Sequence, residues 1–171
     1  GGGIALLTAL DLLRQGSRLK SLVLIDALAL PQGIPWFMRL MRTPLLGPAV
    51  LACVPSRLMV GIVLRQAYYD SRMIERDAAA VYAQNFATPA GRYAQIQIAQ
   101  HIVPVDLDEV IAGYARIDVP ALVVWGRDDR IISFEHGRRL SAALAKARLF
   151  AVSECGHVPH EETPQRVIPA I

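Results

Sequence analysis

The chain has 171 residues, 53% of them apolar and 19% charged, with a net charge of +3. That apolar content excludes a disordered chain, and the length suits one domain better than two independent ones. The arginines (Arg39, Arg42, Arg57, Arg65, Arg72, Arg76) are scattered and no apolar run is free of Arg, Lys or Pro for long, which argues against a nucleic-acid surface and against a membrane span of ~18–20 residues.

Gly1-Gly2-Gly3 runs directly into an apolar stretch, Ile4 to Gln15, which predicts a helix stopped at Gly16, a residue suited to a helix C-terminus. Leu19 to Ala27 (LKSLVLIDA) predicts the first strand. From about Pro31 to Pro104 the character changes: prolines recur at 31, 35, 44, 48, 55, 89 and 104, and no stretch reads as a strand. Helical patterns fill the spaces, over Pro35 to Met41, Ser56 to Gln66, Ser71 to Phe86 and Pro89 to His101. Thr88 is a suitable N-cap, with proline at the first helical position after it. Asp106 to Arg116 predicts one more helix, followed by strands at Ala121 to Gly126 and Ala147 to Val152. Between these, Ser133 can cap a helix through Ala145, with Glu135 in its first turn. A last helix begins near Thr163 or Pro164 and stops at Ile171 in mid-pattern, so both ends look cut. Residues 1–13 lack a starting Met and a basic n-region, so no signal peptide is expected.

These elements predict an α/β fold: three strands of a parallel sheet, from residues 1–30 and 105–171, with 31–104 inserted as helices over the carboxyl ends of the strands. Nearly continuous apolar runs in the first two strands fit burial on both faces. The first strand would face an absent neighbour, leaving an apolar edge. Cys53 and Cys155 suit neither a disulfide framework nor a metal cage. They are read as unpaired thiols in a reducing compartment, the cytoplasm, with Cys155 a small filler in a tight turn.

In open parallel sheets functional groups gather beyond the carboxyl ends of the strands. Asp129 lies in the loop after the second strand, and His157 in the loop after the third, 28 residues later. One helix and one strand fit that gap, so the two loops would be neighbours. An acid that orients a base is half of a nucleophilic apparatus. Taken alone, Asp129 could be a turn former, His157 a surface histidine, Asp128 a solvated carboxylate, and the three glycines a helix-packing seam.

Gly1-Gly2-Gly3-Ile4-Ala5, Leu22-Val23-Leu24-Ile25-Asp26, Val119 to Asp129 (VPALVVWGRDD) and Gly156-His157-Val158-Pro159-His160-Glu161-Glu162-Thr163-Pro164 together resemble the C-terminal two-thirds of an α/β-hydrolase with a helical cap. The resemblance implies that Asp129, three residues after Gly126, is the acid and that His157, directly after Gly156, is the base. Asp26 is an alternative acid, because some relatives supply the acid from that position. The family's proline beyond the acid is missing, and Ser133 stands nearby. Gly1, Gly2 and Gly3 would be the far side of the nucleophile elbow, where close helix–sheet approach excludes Cβ atoms. The nucleophile would then stand two residues before Gly1, and the oxyanion hole would also lie upstream. The resemblance therefore implies that the 171 residues alone are inactive. It implies a parent that hydrolyses an ester or an activated carbon–carbon bond of a small apolar or aromatic substrate. No ligand cluster at metal spacing is read in the sequence, so no metal or organic cofactor is expected.

Trp36, Met59 and Tyr68, with Phe37, Met38, Met41 and Tyr69, are candidates for the cap's inward face and substrate pocket, or for ordinary packing. An Asp nucleophile would instead give a haloalkane dehalogenase or an epoxide hydrolase, to which Tyr68 and Tyr93 are suited. A non-catalytic ligand-binding protein of the same fold is a further alternative.

Overall fold

A computed structural model describes residues 1–171. The chain divides into two compact units: one of residues 1–32, 67–70 and 106–171, and one of residues 33–66 and 71–105.

The first unit is built on a parallel sheet in the order β1-β2-β3, from Leu22–Ile25, Ala121–Gly126 and Ala147–Val152. Alternate residues on each strand enter opposite layers. Leu24, Val123 and Trp125 join Leu6 and Leu10 of α1 (Gly2–Arg14), Val110 of α7 (Leu107–Gly113) and Leu140 of α8 (Phe134–Ala143) in the larger core. Val124 and Val152 face the other way, against Cys155 and Val167, with Ile25, Leu122 and Phe150 at the margin. The first face is thus covered, whereas the second is buried only around Val124 and Val152 and leaves Val23 and Arg148 exposed, so burial on both faces, expected from the apolar runs, is incomplete.

The register Ala121↔Ala147 through Gly126↔Val152 brings the loops after β2 and β3 out at the same level. β1 is shorter than the sequence suggests. Its ladder with β2 runs from Leu22 to Ile25, while Arg18, Lys20 and Ser21 stay exposed outside the core.

α1 ends as its sequence predicts. Gly16 adopts φ 72°, its N–H reaches the Leu13 carbonyl and the Ser17 N–H reaches that of Leu12, the paired bonds of a Schellman terminus. At the other end the glycines have a packing reason. A Cβ on Gly3 would lie 2.6 Å from the Leu28 carbonyl oxygen, and one on Gly2 would strike Ala27, whereas Gly1 is open. α8 begins differently from expectation. The Ser133 hydroxyl makes no cap bond to the helix backbone; it pairs with His136 Nδ1 at 3.0 Å. The helix closes at Ala143, because Leu144 is extended.

The second unit is helical, with three corrections to the sequence reading. Ser71 to Phe86 is not one helix. It is a 3-10 turn at Ser71–Met73, then α5 at Ala78–Ala83 and a 3-10 turn at Gln84–Phe86, broken where the charged Glu75-Arg76-Asp77 tripeptide lies exposed. A helix absent from the expectation, α3, spans Leu46–Cys53 between α2 (Trp36–Arg42) and α4 (Ser56–Ala67). Pro48 sits in its first turn, where no backbone N–H is required, so this proline begins a helix without interrupting one. Third, residues 67–70, expected within the insertion, belong to the first unit. α6 (Pro89–His101) matches its expected bounds, with Thr88 Oγ1 accepting from the Gly91 N–H at 3.0 Å. No single helix is long and apolar enough to cross a membrane.

The contact at Gly3 generates a test. Gly3→Ala must push a helix away from a backbone carbonyl and is expected to destabilise by about 1–3 kcal/mol, read from the urea unfolding midpoint. Gly33→Ala, where a Cβ meets nothing within 4 Å, is expected to stay within about 0.5 kcal/mol of wild type.

Candidate functional site

The first unit gathers Asp26, Asp129, His157 and Glu162 at the carboxyl ends of its strands. β2 leads into the acid loop through Gly126, and β3 leads into the loop that carries His157. The two loops interlock by main-chain bonds, Arg127 N–H to the Val152 carbonyl and Asp128 N–H to the Cys155 carbonyl. A Cβ on Gly126 would collide with the carbonyl oxygens of Cys155 and Gly156. Trp125, fully buried, donates its indole N–H to the Ile132 carbonyl at 3.1 Å. That bond pins the far side of the acid loop.

Asp129 is buried by this arrangement. Its Oδ1 accepts the N–H groups of Ile131 (2.7 Å) and Ile132 (2.9 Å), and its Oδ2 meets His157 Nδ1 at 2.8 Å. The carboxyl is therefore engaged by two backbone N–H groups and the imidazole, which is oriented with Nε2 on its opposite side. The neighbouring Asp128 is exposed. His160 is exposed too and lies 3.7 Å from Glu161.

Asp26 follows β1 in a left-handed backbone conformation, φ 41°. Its Oδ1 accepts the Gly126 N–H at 3.0 Å, and its Oδ2 is buried without a hydrogen-bond partner. Burial, and then the charge of Asp129, push its carboxyl up to about 9. At neutral pH Asp26 is thus a neutral acid, and Asp129 is the group placed on the imidazole. Asp26, Asp129 and His157 each offer an atom within 4.8 Å of the others, a spacing that a cation could share. Both Asp129 oxygens are already engaged, by Ile131 and Ile132 on one side and His157 on the other, so hydrogen bonds within the protein account for this grouping.

Glu162 was passed over as a functional residue in the sequence. It is buried and accepts the Gly156 N–H at 2.7 Å and the Tyr69 N–H at 2.8 Å. The signal available was an acid six residues after the loop glycine; its partner at Tyr69 is 93 residues away. Tyr68, a candidate pocket residue, is buried and donates its hydroxyl to Glu161. Beside it, the Ala67 carbonyl accepts the His157 N–H at 2.6 Å. Trp36 and Met59 belong to the helical unit, where the Trp36 indole donates to Gln66 at 2.7 Å. The Cys155 thiol is pushed up to about 12, first by burial and then by the charge of Glu162, which makes it a packed, unreactive group.

Asp26 gives a pH dependence. Between the free carboxyl value of 3.8 and about 9 the native state keeps a proton that the unfolded state has released. Stability therefore falls as pH rises across this window, by up to about 1.4 kcal/mol per pH unit. Asp26→Asn is expected to resist urea better than wild type at pH 8 and to lose that advantage near pH 4. A difference independent of pH would mean that Asp26 is ionised in the native state.

Residues 1–170 match the alpha/beta hydrolase family. Among curated proteins, the chain is 34% identical over 77 residues to a 2-hydroxy-6-oxo-6-phenylhexa-2,4-dienoate hydrolase of Burkholderia cepacia, covering 39% of this chain and 27% of that protein. It is 38% identical over 52 residues to the uncharacterized hydrolase YugF of Bacillus subtilis (strain 168), covering 30% and 19%. Among solved structures, an alpha/beta hydrolase fold protein from Burkholderia ambifaria matches with a TM-score of 0.76 and 26% identity, over 97% of this chain and 61% of that one. The 2-hydroxy-6-oxo-6-phenylhexa-2,4-dienoate hydrolase of Rhodococcus sp. strain RHA1 matches with a TM-score of 0.77 and 18% identity, over 99% and 59%, a likeness of fold. The matched stretches thus span about a fifth to a quarter of these curated relatives and about three-fifths of these structures. With the strand order, the acid and base loops and the family match in place, the chain belongs to the alpha/beta hydrolase family.

Proposed function

We propose that the chain supplies the acid and the base of a hydrolase, Asp129 and His157, and that the nucleophile of the triad stands two residues before Gly1. The observation that carries this reading is the 2.8 Å contact between His157 Nδ1 and Asp129 Oδ2, with the Asp129 side chain fully enclosed. An enclosed carboxylate on Nδ1 fixes the tautomer that leaves Nε2 free to take a proton. In the proposed reaction Nε2 accepts the proton of a serine hydroxyl as its oxygen attacks a carbonyl carbon. It then returns that proton to the departing alcohol or carbon. Water repeats the cycle on the acyl-enzyme, giving the acid product and regenerating the serine.

The substrate class is a small apolar or aromatic ester, or a compound with an activated carbon–carbon bond next to a carbonyl. Support for the second comes from the relative whose name is that of a 2-hydroxy-6-oxo-6-phenylhexa-2,4-dienoate hydrolase. Two free thiols, Cys53 and Cys155, suit a reducing compartment, which supports a cytoplasmic setting.

The test uses the polypeptide with its upstream coding sequence, assayed with p-nitrophenyl esters and with 2-hydroxy-6-oxo-6-phenylhexa-2,4-dienoate. His157→Ala is expected to remove nearly all turnover of whichever is accepted. Asp129→Asn keeps an oxygen for Ile131 and Ile132 but presents an amide N–H₂ to Nδ1, and is expected to lower kcat by about 10⁴. Wild-type rates in both variants would refute the assignment. Turnover of haloalkanes or epoxides in place of both substrates would move the chemistry to an Asp nucleophile.

A further inference from the structure

Glu162 is one of three buried acids in the chain, and the reaction proposed above does not use it. Its two oxygens are divided between two segments far apart in sequence: Oε1 takes the N–H of Gly156, the residue before His157, and Oε2 takes the N–H of Tyr69. A third bond joins the same two segments, from the His157 N–H to the Ala67 carbonyl, and a fourth joins the Tyr68 hydroxyl to Glu161. There is no slack in this strap. A Cβ on Gly156 would run into the Ala67 carbonyl oxygen, the Tyr69 nitrogen and Glu162 Oε1. The backbone of the base is therefore registered on residues 67–70, the four residues that interrupt the helical insertion and pack with the first unit.

We propose that Glu162 is a positioning residue for His157, clamping the base loop to the Ala67–Asp70 segment so that this segment sets the aim of the imidazole. The inference rests on His157 being the base. Glutamate is needed because both incoming groups are donors, and an ionised carboxylate alone offers two acceptor oxygens. Glutamine must turn its N–H₂ toward either Gly156 or Tyr69 and release it. Aspartate is one methylene shorter, so it holds one segment at the expense of the other. Because a base displaced by about 1 Å loses on the order of 10²-fold in rate, the clamp acts on turnover more than on substrate affinity.

The experiment compares wild type, Glu162→Gln, Glu162→Asp and the exposed-site control Glu135→Gln in the full polypeptide. Three quantities are read: kcat and KM for the accepted substrate, the proton NMR signal of the His157 Nδ1–H, and amide exchange at Gly156 and Tyr69. In Glu162→Gln, kcat per folded molecule is expected to fall about 10- to 100-fold with KM within about twofold. The Nδ1–H signal is expected to shift or broaden, and Glu162→Asp should restore part of the rate. Glu135→Gln should leave all three unchanged. A Glu162→Gln enzyme with wild-type kcat and an unmoved Nδ1–H signal would overturn the proposal. If the variants do not fold, wild-type exchange decides it. Slow exchange at both Gly156 and Tyr69 supports the clamp, and fast exchange at either one overturns it. Failure of the triad reading has a different signature, activity that survives His157→Ala.

Discussion

The spacing of Asp129 and His157 depends on two positions where backbones meet without room for a side chain. Gly126 ends β2 against the carbonyls of Cys155 and Gly156, and Gly156 lies against the Ala67 carbonyl and the Tyr69 nitrogen. Because nothing but hydrogen fits there, the acid loop, the base loop and the 67–70 segment form one packed stack. The 2.8 Å contact between Asp129 and His157 is a consequence of that stacking. The parallel register supplies the starting level, since Gly126 is paired with Val152. The interlocking main-chain bonds then carry that level into the loops.

This stack creates an electrostatic problem, because all three buried acids of the chain, Asp26, Asp129 and Glu162, lie in it. No buried Lys or Arg accompanies them. Buried charge is tolerated where hydrogen bonds replace water, and the three carboxyls solve the problem separately. Asp129 has two backbone donors and an imidazole. Glu162 has two backbone donors from different segments. Asp26 has one donor, leaves an oxygen unpartnered, and escapes by remaining protonated.

Much of this was legible in the sequence where local chemistry decides structure. The bounds of β2, β3 and α6, the cap at Thr88 and the stop at Gly16 follow from apolar runs and terminal residues. So does the placement of Asp129 and His157 in adjacent post-strand loops, which needs no more than their spacing and a parallel sheet. What was not legible depends on contacts distant in sequence. Pro48 reads as punctuation until α3 is seen to begin two residues before it. Residues 67–70 lie between two predicted helices, and their bonds to the loop of His157, distant in sequence, place them with the first unit. The Ser133 hydroxyl turns to His136 and leaves the backbone uncapped, a choice between two local partners that propensity does not resolve.

Asp26 and Asp129 follow adjacent strands, and either could supply the acid by position alone. What separates them is the direction of the surrounding N–H groups. The loop after β2 curls so that two successive amides, Ile131 and Ile132, point at one Asp129 oxygen. The chain at Asp26 turns through a left-handed residue and offers its carboxyl the single amide of Gly126. With the two carboxyls so close, ionising both is unfavourable, and the neighbouring Asp129 adds to burial in raising Asp26. The difference between the two carboxyls is thus made by backbone amides in a loop, whatever demand the proposed reaction places on them.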